Sequence, residues 1–318
     1  MKKKFFGITA LMFAVLFISS CNNGEDNIYN PFDEETKGEF YASSITAVKA
    51  TSSIQESENW TNIVKDASNR IAQYSYDYNY YMPESGDTKN EKRDSKIYYF
   101  KTHDKQDAIT VQSHLEYNQQ QGGIATKYSQ KISDNIAINA DGYISKISTT
   151  IAHYESDSVE PVIKTSEREF IYSGDICISS TFCDEECKIT YTYDWNAYQL
   201  TGITVLKDNH VKGIIEYDKF DYTYNNDSVY IYSGTQLLPF VQRGLPEVFA
   251  AMGYFGKSTP YLLAEEKHSG YLKHNSSNTT TTSTETTNNY SLVGDVESGF
   301  TYNAQSNIYS TFYIDFKK

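Results

Sequence analysis

Apolar and polar positions alternate along most of this chain, and the alternation is cleanest between residues 188 and 205. Ile189, Tyr191 and Tyr193 fall on one side; Thr190 and Thr192 fall on the other. Successive side chains of a strand point to opposite faces, so this period, carried by β-branched and aromatic residues, predicts a strand. Asp194, Trp195, Asn196 and Ala197 interrupt it with turn-tolerant residues, and the alternation resumes at Leu200. The stretch reads strand, turn, strand.

The same form recurs more loosely. Segments 65–71, 138–144 and 302–308 align without gaps, each with Asp or Asn before Ala and each ending on Ile. A tighter type appears at 172–176 and 224–229, where Gly174 and Asn226 suit the positive φ of two-residue hairpins. Strands are expected at 70–81, 95–101, 108–117, 143–154, 162–172, 176–182, 188–193, 199–206, 211–217, 220–224, 229–232 and 308–316. The expected fold is mainly all-β: an antiparallel meander that closes into a barrel or a strongly curled sheet.

Two segments break the pattern. Near residues 245–255 a short helix is expected, with Pro246 at its first position and Val248, Ala251, Met252 and Phe255 on one face. Within an insertion at 237–270 it reads as a plug completing the core, with a movable lid as the rival. Residues 275–289 are Ser, Thr and Asn in low complexity and predict a long loop.

The front end changes the picture. Lys2, Lys3 and Lys4 precede an apolar run from Phe5 to Ile18, then Ser19, Ser20 and Cys21. The run is shorter than the roughly 20 residues of a membrane helix and has the layout of a secretory signal. The expected organisation is a signal peptide at 1–20, a polar tether at 21–59 and one β domain at 60–318. Losing the three lysines takes the formal net charge from −13 to about −16. So acidic a chain, without a basic aromatic patch, argues against nucleic acid.

The 29 tyrosines against 6 prolines suit sheets with one wet face, since tyrosine joins apolar area to a polar tip. A membrane-spanning barrel would need an outward apolar band. Thr, Ser, Lys and Glu are frequent on both faces of the expected strands, so a barrel outside the lipid is favoured.

The Ile-Ser-Ser-Cys ending at Cys21 resembles the lipobox of bacterial lipoproteins. The resemblance implies that Cys21 is diacylated and becomes the mature N-terminus, an anchor to the outer membrane. Glu25 and Asp26 resemble the acidic signal of Bacteroidota surface lipoproteins, so either the cell surface or the periplasmic side is open. Tyr191 to Ile203 resembles a YD-type repeat unit. With the lipobox, both hairpin types, the insertion and the closing Phe312, Ile314, Asp315 and Phe316, the chain resembles an uncharacterised Bacteroidota lipoprotein family. That family is described as having a porin-like β fold.

Candidate chemistry is sparse. Cys183 and Cys187 either close a disulfide across a hairpin mouth or stay as thiols, and Cys177 is left over. The six histidines are scattered, without metal-ligand spacing or a nucleophile elbow. No cofactor, metal or enzymatic activity is expected. Trp195 and Tyr198, at a turn beside Asn196, are candidates to stack on a sugar, although Trp195 folding back onto the sheet is the simpler reading. Asp157-Ser158-Val159 and Asp227-Ser228-Val229 resemble a short O-glycosylation motif. The expected role is an anchored binding or structural module for a glycan or protein partner. The alternative is a periplasmic barrel carrier of a hydrophobic molecule.

Overall fold

The computed structural model describes residues 44–317 except 52, 69, 102–106, 156–159, 197–198, 226–246, 257–261, 275–279, 283–284, 296–298 and 307–310. Its strands are β1 (Ser44–Ala50), β2 (Gln55–Lys65), β3 (Ile71–Met82), β4 (Asp87–Lys101), β5 (Asp107–Gln121) and β6 (Ile124–Ile138). There follow β7 (Ile144–Glu155), β8 (Val162–Ser173), β9 (Ile176–Cys183), β10 (Cys187–Asn196), β11 (Gln199–Asn209) and β12 (Ile214–Asn225). After one short helix, α1 (Glu247–Ala251), come β13 (Leu262–His274), β14 (Thr280–Thr282), β15 (Thr286–Asp295), β16 (Gly299–Ser306) and β17 (Thr311–Lys317).

Among the described residues all 17 strands belong to one sheet, and every ladder is antiparallel. Each strand pairs with the next in sequence, with β14 and β15 sharing the flank of β13. β1 is bonded on both sides: Ala47 stands opposite Glu58 of β2 and opposite Ile314 of β17. The architecture is an all-β antiparallel meander.

Several elements differ from the expected ones. β6 fills a stretch with no expected strand, because Ile124, Tyr128, Ile132, Ile136 and Ile138 are spread through an otherwise largely polar run. β12 joins the two strands expected at 211–217 and 220–224. β13 lies largely inside the expected insertion. β1 and the first part of β2 fall within the expected tether, where the alternation SITAVKA buries Ile45 and Ala47. β14 and β15 enter the expected loop at 275–289. The turn expected at Asn303 and Ala304 is instead β16, with Asn303 opposite Tyr313. The strand expected at 229–232 and the motif at 157–159 lie outside the described residues.

One face of the sheet makes the core. Ile97, Ile109, Val111, Ile136, Ile147, Phe170, Tyr193, Ile203 and Phe220 pack there with Val248, Phe249, Met252 and Phe255 of α1 and the turn after it. The expected apolar face of the helix is thus buried at Val248, Met252 and Phe255. The turn is tied in place: the Ile144 N–H donates to the Tyr254 carbonyl at 2.9 Å, and Gly256 bridges Ile176. At φ +82°, with an added Cβ falling 2.2 Å from the Asp175 carbonyl oxygen, position 256 accepts only glycine. These bonds to β7 and β9 make the segment a fixed plug.

A repeated lock holds the same end of the sheet. The Tyr99 hydroxyl donates to the Ile71 carbonyl (2.7 Å), Tyr172 to Ile144 (2.6 Å) and Tyr224 to Leu200 (2.7 Å). The Trp195 indole N–H does the same to Cys177 (2.9 Å). Each donor ends one strand, each acceptor opens the strand before it, and all four acceptors are fully buried. The hairpins between them close through side-chain turns, as Asp66 accepts from the backbone of Ser68 and Arg70, and Asn139 from Tyr143. Bulges at Thr61, Ala137, Ile171, Asp194 and Thr223 cluster at this end as well, tightening the local twist.

Candidate functional site

Away from the plug, the core face changes character. Along β3 to β7 the same-face positions become Tyr76, Tyr78, Glu91, Arg93, Tyr128 and His153, and register fixes them as neighbours. Tyr76 stands opposite Arg93, Tyr78 opposite Glu91, Tyr117 opposite Tyr128 and Gln130 opposite His153. Tyr117 and Tyr128 stack at 4.3 Å, and Tyr128 tilts against His153 at 4.7 Å. The Lys89 ammonium lies over the Tyr78 and Tyr117 rings at 5.0 and 5.5 Å and pairs with Glu91 at 2.9 Å. Gln130 bonds the His153 ring nitrogen at 3.1 Å, and Tyr117 donates to Gln119 at 2.6 Å.

Between this wall and the plug lies a charged stratum. Arg93 lies over Tyr76 at 5.2 Å, and Arg168 lies over Phe182 and Tyr191 at 5.4 and 5.7 Å. Asp134 accepts from the Thr149 hydroxyl at 2.5 Å. Burial pushes the Asp134 carboxyl up; the Thr149 bond and the fields of Arg93 and Arg168 oppose that rise without cancelling it. Further round the sheet, Lys207 pairs with Glu216 at 2.7 Å, and His268, stacked on Phe220, meets Asp218 at 2.8 Å. Such a surface offers ring faces, fixed donors and fixed acceptors together, the combination that recognises a polar ring-bearing ligand.

The opposite face is polar along its length. Lys92, Asp94, Lys96, Gln112, His114, Glu116, Lys131, Glu167 and Lys188 are exposed there. Lys146 pairs with Glu167, Lys219 with Asp221 and Lys267 with Glu265. Exposed apolar side chains such as Tyr98, Phe100, Ile163 and Ile171 are interspersed among them.

The residues singled out in the sequence are placed as follows. Trp195 is packed against the core, with its N–H engaged by Cys177, so it belongs to the repeated lock. Tyr198 and Cys21 lie outside the described residues. Cys177, Cys183 and Cys187 are thiols. Of the two alternatives the disulfide fails on register: Cys183 stands opposite Lys188, so the adjacent Cys187 points to the other face. Asp184 fills the turn instead, accepting from the Glu186 and Cys187 N–H groups at 2.8 Å. The tyrosine and arginine wall was missed because its members are spread over β3 to β7, with Arg168 and Tyr191 on β8 and β10, and only register brings them together.

No protein-family model matches this chain, and no match was found among curated proteins. A solved structure similar to it is described as a porin-like protein from Bacteroides uniformis. The identity is 11%, over 87% of this chain and 97% of that one, with a TM-score of 0.46.

Proposed function

We propose that the chain is an exported lipoprotein, held at the outer membrane through Cys21, and that its sheet closes into a barrel outside the lipid. In this reading the barrel is a binding module, and its core face beyond the plug takes a glycan. Closure is supported by the ladder from Ser44 opposite Lys317 to Ala50 opposite Thr311, which gives the first strand two neighbours. A position outside the lipid is supported by the outer face, where among the described residues of β4, β5, β6 and β8 charges interrupt any continuous apolar band. The anchor rests on the lipobox at Cys21.

The observation that carries the binding role is the split core face, apolar and filled at one end, aromatic and charged at the other. A carrier of a hydrophobic molecule needs an unfilled apolar cavity. Here Met252, Phe249 and Phe255 occupy the apolar end, which favours a polar ligand over the carrier.

The test is an oligosaccharide screen on the purified chain, followed by titration of each hit against Tyr128→Leu. That variant keeps side-chain bulk and removes the ring. The expected loss is about tenfold in affinity, or roughly 1.4 kcal/mol. A lipid or fatty acid extracted from the purified protein, with no saccharide bound, would favour the carrier instead.

A further inference from the structure

On the outer face, β3 to β7 carry a recess of about 600 Å³ lined by Gln73, Asp94, Lys96, Gln112, His114 and Lys131. A second recess of about 520 Å³, with Lys127, Ser129 and Tyr154 in its lining, adjoins it and shares Lys131. Register builds the floor from two rows: Lys96, Gln112, Ser133 and Thr150 in one, Asp94, His114, Lys131 and Ala152 in the other. From Gln112 to Asn118 along β5 the joined trough runs about 20 Å, and across β4 to β7 it is about 14 Å wide. On the core face behind it stand Ser95 and Ser113, 1% and 8% exposed, bonded to each other at 2.8 Å.

The charges in this hollow are unevenly matched. Asp94 accepts from the Ser75 hydroxyl at 2.6 Å, and His114 faces Glu116 at 3.7 Å. Lys96 has no ion pair among the described residues, and Lys131 meets only the Tyr154 ring, at 5.5 Å. A chain of formal net charge −13 thus holds two ammonium groups without carboxylate partners in an elongated trough. Amides and hydroxyls stand among largely aliphatic stems in the first recess, Glu116 and Glu155 are in the lining of the second, and the trough ends beside an aromatic ring. Amides and hydroxyls match sugar hydroxyls, the ring matches a sugar face, and the ammonium groups match acidic substituents.

We propose that this trough is a second binding site, distinct from the core face, for an oligosaccharide bearing carboxylate or sulfate groups. The experiment is calorimetric titration of the full chain with three oligosaccharide sets: uronate, sulfated and neutral. Each set is repeated on the Lys96→Gln/Lys131→Gln double variant and on Tyr78→Leu. The uronate or the sulfated set binds, and which of them binds tighter identifies the acidic group. The double variant should weaken binding by about tenfold or more, Tyr78→Leu, on the core face and outside both recesses, should leave it unchanged, and added salt should weaken it. The site is overturned if neutral sugars bind as well as acidic ones, or if the double variant binds normally. It is also overturned if no acidic set binds, or if inorganic polyphosphate or single-stranded nucleic acid binds equally well. Loss of acidic-sugar binding in Tyr78→Leu alone would assign that ligand to the core face and remove the second site.

Discussion

Asp134 sits on the core face with two guanidinium groups near it, yet burial lifts its carboxyl above the ordinary 3.8 and the arginines do not reverse this. A folded-state pKa above the unfolded one means that the native state holds the proton more tightly. Stability is therefore lost as pH rises from about the ordinary value through the raised one, and ionised Asp134 costs stability at neutral pH. Asparagine can still accept from Thr149, so Asp134→Asn should be more stable than the parent at pH 7, and the two should converge in acid. Urea midpoints measured across the acid range check this; a variant less stable at neutral pH would mean that the arginines prevail.

The thiols give a second prediction at this scale. Burial pushes Cys177 up to about 12, whereas Cys183 is exposed on the other face. In the native Cys21→Ala chain, a thiol reagent should modify Cys183 first, and Cys177 and Cys187 only after denaturation. Rapid modification of Cys177 would contradict the packing around it.

Among the elements, the lock between an aromatic donor and a buried carbonyl explains why bulged hairpins gather at one end. Removing the Tyr172 hydroxyl leaves the Ile144 carbonyl buried without that donor. Tyr172→Phe should cost about 1–3 kcal/mol. Tyr98→Phe, on the exposed outer face, should cost nothing measurable. Denaturant midpoints of both variants are the measurement, and equal midpoints would remove the lock from the account.

What was legible in the sequence divides along the same line. The hairpin at 188–205 was readable because Ile189, Tyr191 and Tyr193 alternate with threonines, and the plug because Val248, Met252 and Phe255 keep helical spacing. β6 was not, since its core-facing positions mix apolar and polar residues (Tyr128, Gln130, Ile132, Asp134) and so carry no clean period of two. Nor was the role of Trp195: a ring beside turn residues looks the same whether its N–H faces a ligand or a carbonyl 18 residues earlier. The tyrosine and arginine wall and the outer trough depend on register between strands far apart in the chain, which no local pattern encodes.

For the whole molecule, the apolar core lies on one face of a single sheet, and the opposite face bears charges on strand after strand. In the proposed reading that polar face meets water and not lipid, so attachment to the membrane depends on Cys21 alone. The direct measurement is fractionation of cells expressing the full chain or Cys21→Ala, with detergent and high-pH washes of the membranes. The account predicts that the parent chain resists the alkaline wash and is released by detergent, while Cys21→Ala, still exported, appears in the soluble fraction. Cys21→Ala persisting in alkali-washed membranes would mean that the strands themselves enter the lipid, and both the anchor and the position outside the bilayer would fall.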